Sequence, residues 1–178
     1  MKTSLKKIVI IGPESTGKST LSSALASHYG TRMVPEFARA YLDNLDRDYE
    51  EADLLSIAKG QIAAEELASR HVKNHLICDT DLNVIKVWSE HKYQRCSTAI
   101  LQTIAVRKYD LYLLTDIDFP WQEDRLREHP EPEMRHYFFQ VYLDLVQQSG
   151  VPFAVISGNK EQRLQQAIAV IEAQNLGC

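Results

Sequence analysis

Eight consecutive residues, Gly12-Pro13-Glu14-Ser15-Thr16-Gly17-Lys18-Ser19, have the spacing G-x-x-x-x-G-K-S, and each fixed position has a chemical reason. Glycines let backbone N–H groups turn inward around an anion, and the helix that such a loop opens adds the positive end of its dipole. Lys18 contributes a compact charge for a terminal phosphate, and Ser19 a hydroxyl that can ligate Mg²⁺. The pattern predicts a site for ATP and Mg²⁺ in which Gly12, Glu14, Ser15, Thr16, Gly17, Lys18, Ser19 and Thr20 surround the phosphates. The run Ile8-Val9-Ile10-Ile11 precedes it and a helix-compatible stretch follows, which is the strand-loop-helix setting the motif needs. A phosphate loop of this kind needs a second metal anchor at the end of a neighbouring strand. Leu76-Ile77-Cys78-Asp79 supplies one in Asp79. Asp81 is assigned to the acceptor side, although either aspartate could instead cap the helix that follows.

Phosphoryl transfer to a hydroxyl also needs a group that orients or deprotonates the acceptor, and cations around the moving phosphate. Glu36 and Arg39, in Val34-Pro35-Glu36-Phe37-Ala38-Arg39, follow a predicted strand at the place where an acceptor pocket would open. Glu36 is the candidate base and Arg39 a clamp on substrate, with a surface ion pair as the other reading. Residues 116–132 are charged, contain three prolines and follow a strand end, as expected of a lid or of a solvated loop. Within them Arg125 and Arg127 could close on the phosphates, and Trp121 could stack on a ring. Trp88 reads as core. Ser157, Gly158 and Asn159 separate the last strand from the last helix.

Short β-branched runs alternate with longer helical stretches, which predicts an α/β fold: a five-stranded parallel sheet with helices on both faces and a lid. The expected strands are 7–11, 31–34, 76–79, 111–114 and 153–156. The expected helices are 18–28, 49–72, 83–93, 98–108, 133–148 and 161–174. With 178 residues and no repeat or linker, one domain over residues 1–178 is expected, with the lid at about 116–132.

The composition, 44% apolar and 25% charged with a formal charge of −4, is that of a globular protein and argues against a nucleic-acid partner. The partner expected is a small molecule. The apolar run ending at Ile11 is too short for a signal-peptide core or a membrane span, so a cytoplasmic location is expected. Cys78, Cys96 and Cys178 are scattered, and His71 and His75 lack an H-E-x-x-H context, so neither a disulfide framework nor a zinc site is expected.

Four segments taken together resemble the ribosylnicotinamide kinase domain of the NadR family. They are Gly-Pro-Glu-Ser-Thr-Gly-Lys-Ser-Thr-Leu at 12–21, Val-Pro-Glu-Phe-Ala-Arg at 34–39, Cys-Asp-Thr-Asp at 78–81, and Thr-Asp-Ile-Asp-Phe-Pro-Trp-Gln-Glu-Asp-Arg-Leu-Arg at 115–127. The resemblance implies phosphorylation of nicotinamide riboside by ATP. It implies that Lys18 and Ser19 bind phosphate and metal, that Asp79 belongs to the metal shell, and that Glu36 faces the ribose hydroxyl. It further implies that Arg127 belongs to the closing lid and that Ser157-Gly158-Asn159 is the adenine-side loop. The family pattern reads Asp-Gly-Leu-Arg where this chain has Asp124-Arg125-Leu126-Arg127. The nucleotidyltransferase and DNA-binding portions of the full-length proteins have no counterpart in these residues, so adenylyl transfer and repression are not implied. Another nucleoside or nucleoside monophosphate kinase, and a nucleotide-dependent regulatory ATPase, are the alternatives.

Overall fold

Alternating apolar residues that face both ways along a strand need cover on both sides, and Lys6–Ile11 has it. Ile8 and Ile10 enter one buried cluster, Val9 and Ile11 another on the opposite face. In the computed structural model, which describes residues 4–174 and 176, this strand (β1) is the centre of the sheet. The elements that follow are α1 (Lys18–His28), β2 (Met33–Val34), α2 (Phe37–Asp43), α3 (Glu51–Ser69), β3 (His75–Asp79), α4 (Leu82–Tyr93), α5 (Thr98–Val106), β4 (Leu111–Thr115), α6 (Pro132–Gln148), β5 (Phe153–Ile156) and α7 (Lys160–Ala173). The strand order is β2-β3-β1-β4-β5 and every pairing is parallel. Helices α1 and α7 cover one face, and α4 and α6, with part of α3, cover the other. A third cluster joins α2, α3, α4 and α5 beside the sheet.

The class and the five strands match the sequence-based expectation. Strand β2 is shorter than the expected 31–34. Helix α2 was not expected, because a seven-residue helix just after Pro35 has too few turns to declare a period. Helix α3 begins at Glu51 rather than at 49, where a capping box fixes it: the Glu50 and Asp53 side chains each accept from the other's backbone N–H. Residues 116–131 contain no helix or strand. Among the described residues, no helix is long and apolar enough to cross a membrane and no group of three or more His, Cys, Asp and Glu could hold a metal ion. Cys78 is a buried free thiol and Cys96 a half-buried one, while Cys178 lies outside the described residues.

The register brings the carboxyl ends of β1, β3 and β4 together, with Ile10 opposite both Asp79 and Leu113. In open parallel sheets, ligand sites form at this edge.

Candidate active site

The loop between β1 and α1 is braced from three directions. Thr16 Oγ1 donates to Pro13 O at 2.8 Å and meets Thr115 Oγ1 at 2.7 Å, which ties the loop to the end of β4. Gly12 has φ +145, and a side chain there would begin 2.5 Å from Thr115 Oγ1; Gly17, with φ +78, would meet the ring of Phe119 at 2.8 Å. Both glycines are therefore required by conformation and by close approach. Ser15 holds φ +56 without being glycine, the kind of local strain found where a loop's shape serves a ligand. Lys18 Nζ donates to Pro13 O at 2.7 Å and so lies along the loop.

Asp79 ends β3 beside this loop. Burial raises its pKa, opposed by a hydrogen bond from Ser19 and by the charge of Lys18. Its Oδ1 is buried and has no hydrogen-bond partner. A serine hydroxyl beside an incompletely satisfied carboxylate fits a hard divalent cation that takes its remaining ligands from phosphate and water. Ser19 and Asp79 are thus brought together as expected.

Glu36 is the N-cap residue of α2 and lines the phosphate cleft with Lys18, Ser19, Arg39 and Arg127. Burial raises its pKa, against the attraction of Lys18 and with a further upward push from Asp79. A carboxylate made more basic by burial, close to the phosphate loop, suits a proton acceptor. Arg39 extends to the lid segment, where Nη1 pairs with Asp124 at 3.1 Å.

Residues 116–131 lie against the loop. Gln122 N–H donates to Ser15 Oγ at 2.8 Å, Arg127 Nη1 reaches the same oxygen at 3.4 Å and also donates to Gln122 O, and Glu128 N–H donates to Glu14 Oε2 at 3.0 Å. Behind it is a second cavity of about 370 Å³, whose wall includes Tyr49, Trp88, Trp121 and Arg135. The cavity and the phosphate cleft share Glu14, Leu42, Trp88, Leu126 and Tyr142 as walls, so the two are neighbours. Cations already lie on two aromatic faces: Lys92 Nζ is 3.6 Å from the Tyr49 ring centroid, and the Arg135 guanidinium 5.9 Å from that of Trp121.

Several expectations are corrected. Asp81 is not in either cleft wall; it is almost completely buried, caps α4 by accepting from Asn83 N–H at 3.0 Å, and accepts from Tyr112 Oη at 2.8 Å. Burial pushes its pKa up to about 6, against the hydrogen bonds from Tyr112 and Asn83. Arg125 does not line the phosphate cleft: its Nη2 pairs with Asp43 at 3.0 Å at the far end of α2, while Arg127 lines the cleft. The Asn159 side chain is committed to capping α7, where it accepts from Glu161 N–H and Gln162 N–H, and the Gly158 N–H is held by Asp118, so this pair lies beside the phosphate cleft while Lys160 lines it. Trp88 packs half-buried against two core clusters, in keeping with the core reading, and also walls both cavities. Trp121 lines the aromatic cavity.

Sequence reasoning missed Arg163 and Arg135. Arg163, on α7, is 2% exposed, donates from Nη1 to Thr16 O at 2.7 Å, from Nε to Gly158 O at 2.8 Å and from Nη2 to Asp116 O at 3.0 Å, and pairs with Asp118. Its guanidinium lies 4.1 Å from the Phe119 ring centroid. One side chain therefore joins the phosphate loop, the lid's root and the last loop. Nothing in local spacing could have revealed these partners, since Thr16 is 147 positions away.

Comparison with known proteins agrees with this geometry. A family profile described as an AAA domain matches residues 7–163. The trifunctional NAD biosynthesis/regulator protein NadR of Escherichia coli K12 is 24% identical over 155 residues, covering 84% of this chain and 37% of that protein. Among solved structures, a NadR protein in complex with NR superposes with a TM-score of 0.78 at 22% identity over 95% of this chain and 51% of the other. Thymidylate kinase from Ehrlichia chaffeensis superposes at 0.62 with 16% identity, covering 94% and 98%. The chain spans little more than a third of the length of its NadR relative from Escherichia coli, and the structural likenesses establish the P-loop kinase fold.

Proposed function

The chain belongs to the AAA domain family, and from that premise we propose that it is a kinase that transfers the γ-phosphoryl group of Mg-ATP to nicotinamide riboside, giving nicotinamide mononucleotide. The observation that carries this reading is the adjacency of the two cavities: a phosphate-binding loop and a carboxyl group share walls with an aromatic pocket large enough for a nucleoside. The aromatic side chains Tyr49, Trp88 and Trp121 in that pocket offer faces on which a flat ring can stack. The sequence segments shared with NadR proteins, and the NadR structure in complex with NR, support the same acceptor.

In this reading the loop N–H groups and Lys18 hold the β- and γ-phosphates. Mg²⁺, when bound, neutralises phosphate charge, and Ser19 and Asp79 are the residues that would hold it. Glu36 accepts the proton of the ribose hydroxyl as that oxygen bonds to the γ-phosphorus, while the bond to the β-phosphate oxygen breaks and ADP leaves with the electron pair. Arg127 swings from Gln122 O and Ser15 toward the transferring group, where a cation stabilises the developing charge. Phe119, packed over Gly17, keeps water from that side.

The resemblance to thymidylate kinase over nearly all of that protein's length favours a nucleoside monophosphate acceptor as the second reading. The deciding experiment is ADP release from Mg-ATP with nicotinamide riboside, other nucleosides and their monophosphates, with the product identified by mass. Riboside-dependent formation of the mononucleotide is expected. Turnover with a monophosphate alone would replace the proposal, and acceptor-independent hydrolysis alone would favour a regulatory ATPase.

A further inference from the structure

Helix α2 is a fixed element beside the phosphate cleft. Its first N–H, that of Phe37, donates to Gln61 Oε1 of α3 at 2.8 Å, and Ala38 and Leu42 are buried in the cluster that α2 shares with α3, α4 and α5. Arg39 and Asp43, four residues apart and so on one face of the helix, are met by two consecutive residues of the irregular stretch 116–131. Arg39 pairs with Asp124 at 3.1 Å and Asp43 with Arg125 at 3.0 Å. Arg125 Nη2 also reaches Leu42 O at 3.4 Å, and Leu126 packs against the cluster that buries Ala38 and Leu42. A turn fixes this presentation: Asp124 accepts from Leu126 N–H through Oδ1 and from Arg127 N–H through its carbonyl, both at 3.0 Å. The flanking residues Gln122 and Arg127 hold Ser15 of the phosphate loop. Residues 122–127 therefore bridge the loop and α2.

We propose that the two ion pairs form a clasp that holds this bridge closed on α2, and that Asp43 and Arg125 are positioning residues for phosphoryl transfer. This role rests on the riboside kinase reading and deepens it. Glu36 is the N-cap residue of α2, and Arg127, two residues beyond Arg125, lines the phosphate cleft. Joining the helix to the bridge thus fixes the proton acceptor and the cation relative to each other. Asp43 lines neither the phosphate cleft nor the aromatic cavity, so it acts through Arg125. The Arg125 and Asp43 side chains are 65% and 52% exposed, which keeps the pair weak enough to open for entry and release. Phosphates in the loop attract Arg127 and assist closure, so loss of the clasp is felt while substrates bind more than in turnover of a filled site.

Four full-chain proteins test this: wild type, Arg125→Asp, Asp43→Arg and the double exchange. For each, kcat and KM with Mg-ATP and nicotinamide riboside are measured, and the dissociation constant of a non-hydrolysable ATP analogue, at low and high salt. Each single exchange sets like charges side by side and should raise KM and the dissociation constant by about 5-fold at low salt, with kcat changed by less than about 2-fold. The double exchange should return both to within about 2-fold of wild type, and high salt should shrink the differences. Single exchanges that match wild type overturn the inference. So does a double exchange no better than the worse single, the result if Arg125 instead met the acceptor from the wall of the aromatic cavity. Tm should stay within about 2 °C throughout, and losses of affinity that track losses of Tm would make the contact a staple of the fold and overturn the clasp as well. If a charge reversal does not fold, Arg125→Gln, Asp43→Asn and their double variant decide: losses of about 3-fold that are not additive are expected, and strictly additive ones refute the pairing. If no riboside is turned over, the kinase reading falls and the analogue's dissociation constants decide the clasp alone. Riboside turnover with four equal sets of constants leaves the kinase reading and removes the clasp.

Discussion

Replacing Arg163 by methionine removes a cation that is 2% exposed and joins three segments of the site. Methionine keeps most of the stem's packing, so the loss is that of the guanidinium. Three carbonyl oxygens, of Thr16, Gly158 and Asp116, lose a donor, and Asp118 loses its partner. Breaking a buried pair from one side costs about 3 to 5 kcal/mol. The Asp118 side chain is 35% exposed and recovers water, which places the expected loss near the lower end, about 3 kcal/mol. For a domain of this size that is a fall in Tm of about 6 to 12 °C. Circular-dichroism melts of the wild type, Arg163→Met, Asp118→Asn and the double variant would measure it. The double variant should be less destabilised than the sum of the singles by about 1 kcal/mol or more, because Asp118 is then no longer an unpaired charge. A Tm within about 2 °C of wild type for Arg163→Met, or strict additivity, would refute the idea that this residue holds the site together.

Lys18→Ala should lower turnover by about 100-fold or more while moving stability by less than about 0.5 kcal/mol, since among the described residues Nζ donates to Pro13 O alone; equal losses in a melt and in a rate assay would remove Lys18 from the chemistry. Glu36→Gln should reduce kcat by about 100-fold with little change in ATP affinity, and should erase the acidic limb of the kcat/KM profile, which rises with pH as the raised Glu36 carboxyl ionises. Asp81 holds its proton in the folded protein to about pH 6, above its ordinary value of 3.8, so its contribution to stability is complete below about pH 4, declines as pH rises to about 6 and is level beyond. Urea midpoints compared between wild type and Asp81→Asn should therefore diverge across that window by up to about 3 kcal/mol, and parallel curves would count against a raised carboxyl.

The phosphate loop and the strands were readable because their signals are local: a fixed glycine spacing, and apolar runs bounded by turn residues. The irregular stretch 116–131 was readable from its prolines and charge, and the place of Glu36 beside the phosphate loop from its position after a strand. Asp81 illustrates why the rest was not. A carboxylate two residues beyond a strand looks the same whether it faces a ligand or caps a helix, and the deciding partner, Tyr112, is 31 positions away on β4. Arg125 and Arg127 are separated by one residue yet serve different neighbours, α2 and the phosphate loop, since an irregular backbone has no period from which to infer a face. Trp88 is hydrophobic enough for a core and flat enough for a ligand, and only the neighbouring cavity distinguishes the roles. Arg135 and Arg163 sit on helices where arginine is ordinary; their partners are set by tertiary packing.

Ser15 and Glu14 are held in common by two structures, since their side chains accept hydrogen bonds from the lid segment while their backbones belong to the phosphate loop. Thermodynamic reciprocity then applies: if an anion in the loop tightens the lid's closure by some factor, closure tightens the anion by the same factor. A substitution anywhere in residues 116–131 that loosens those contacts will therefore be felt as weaker nucleotide affinity, even where the altered residue never touches the nucleotide.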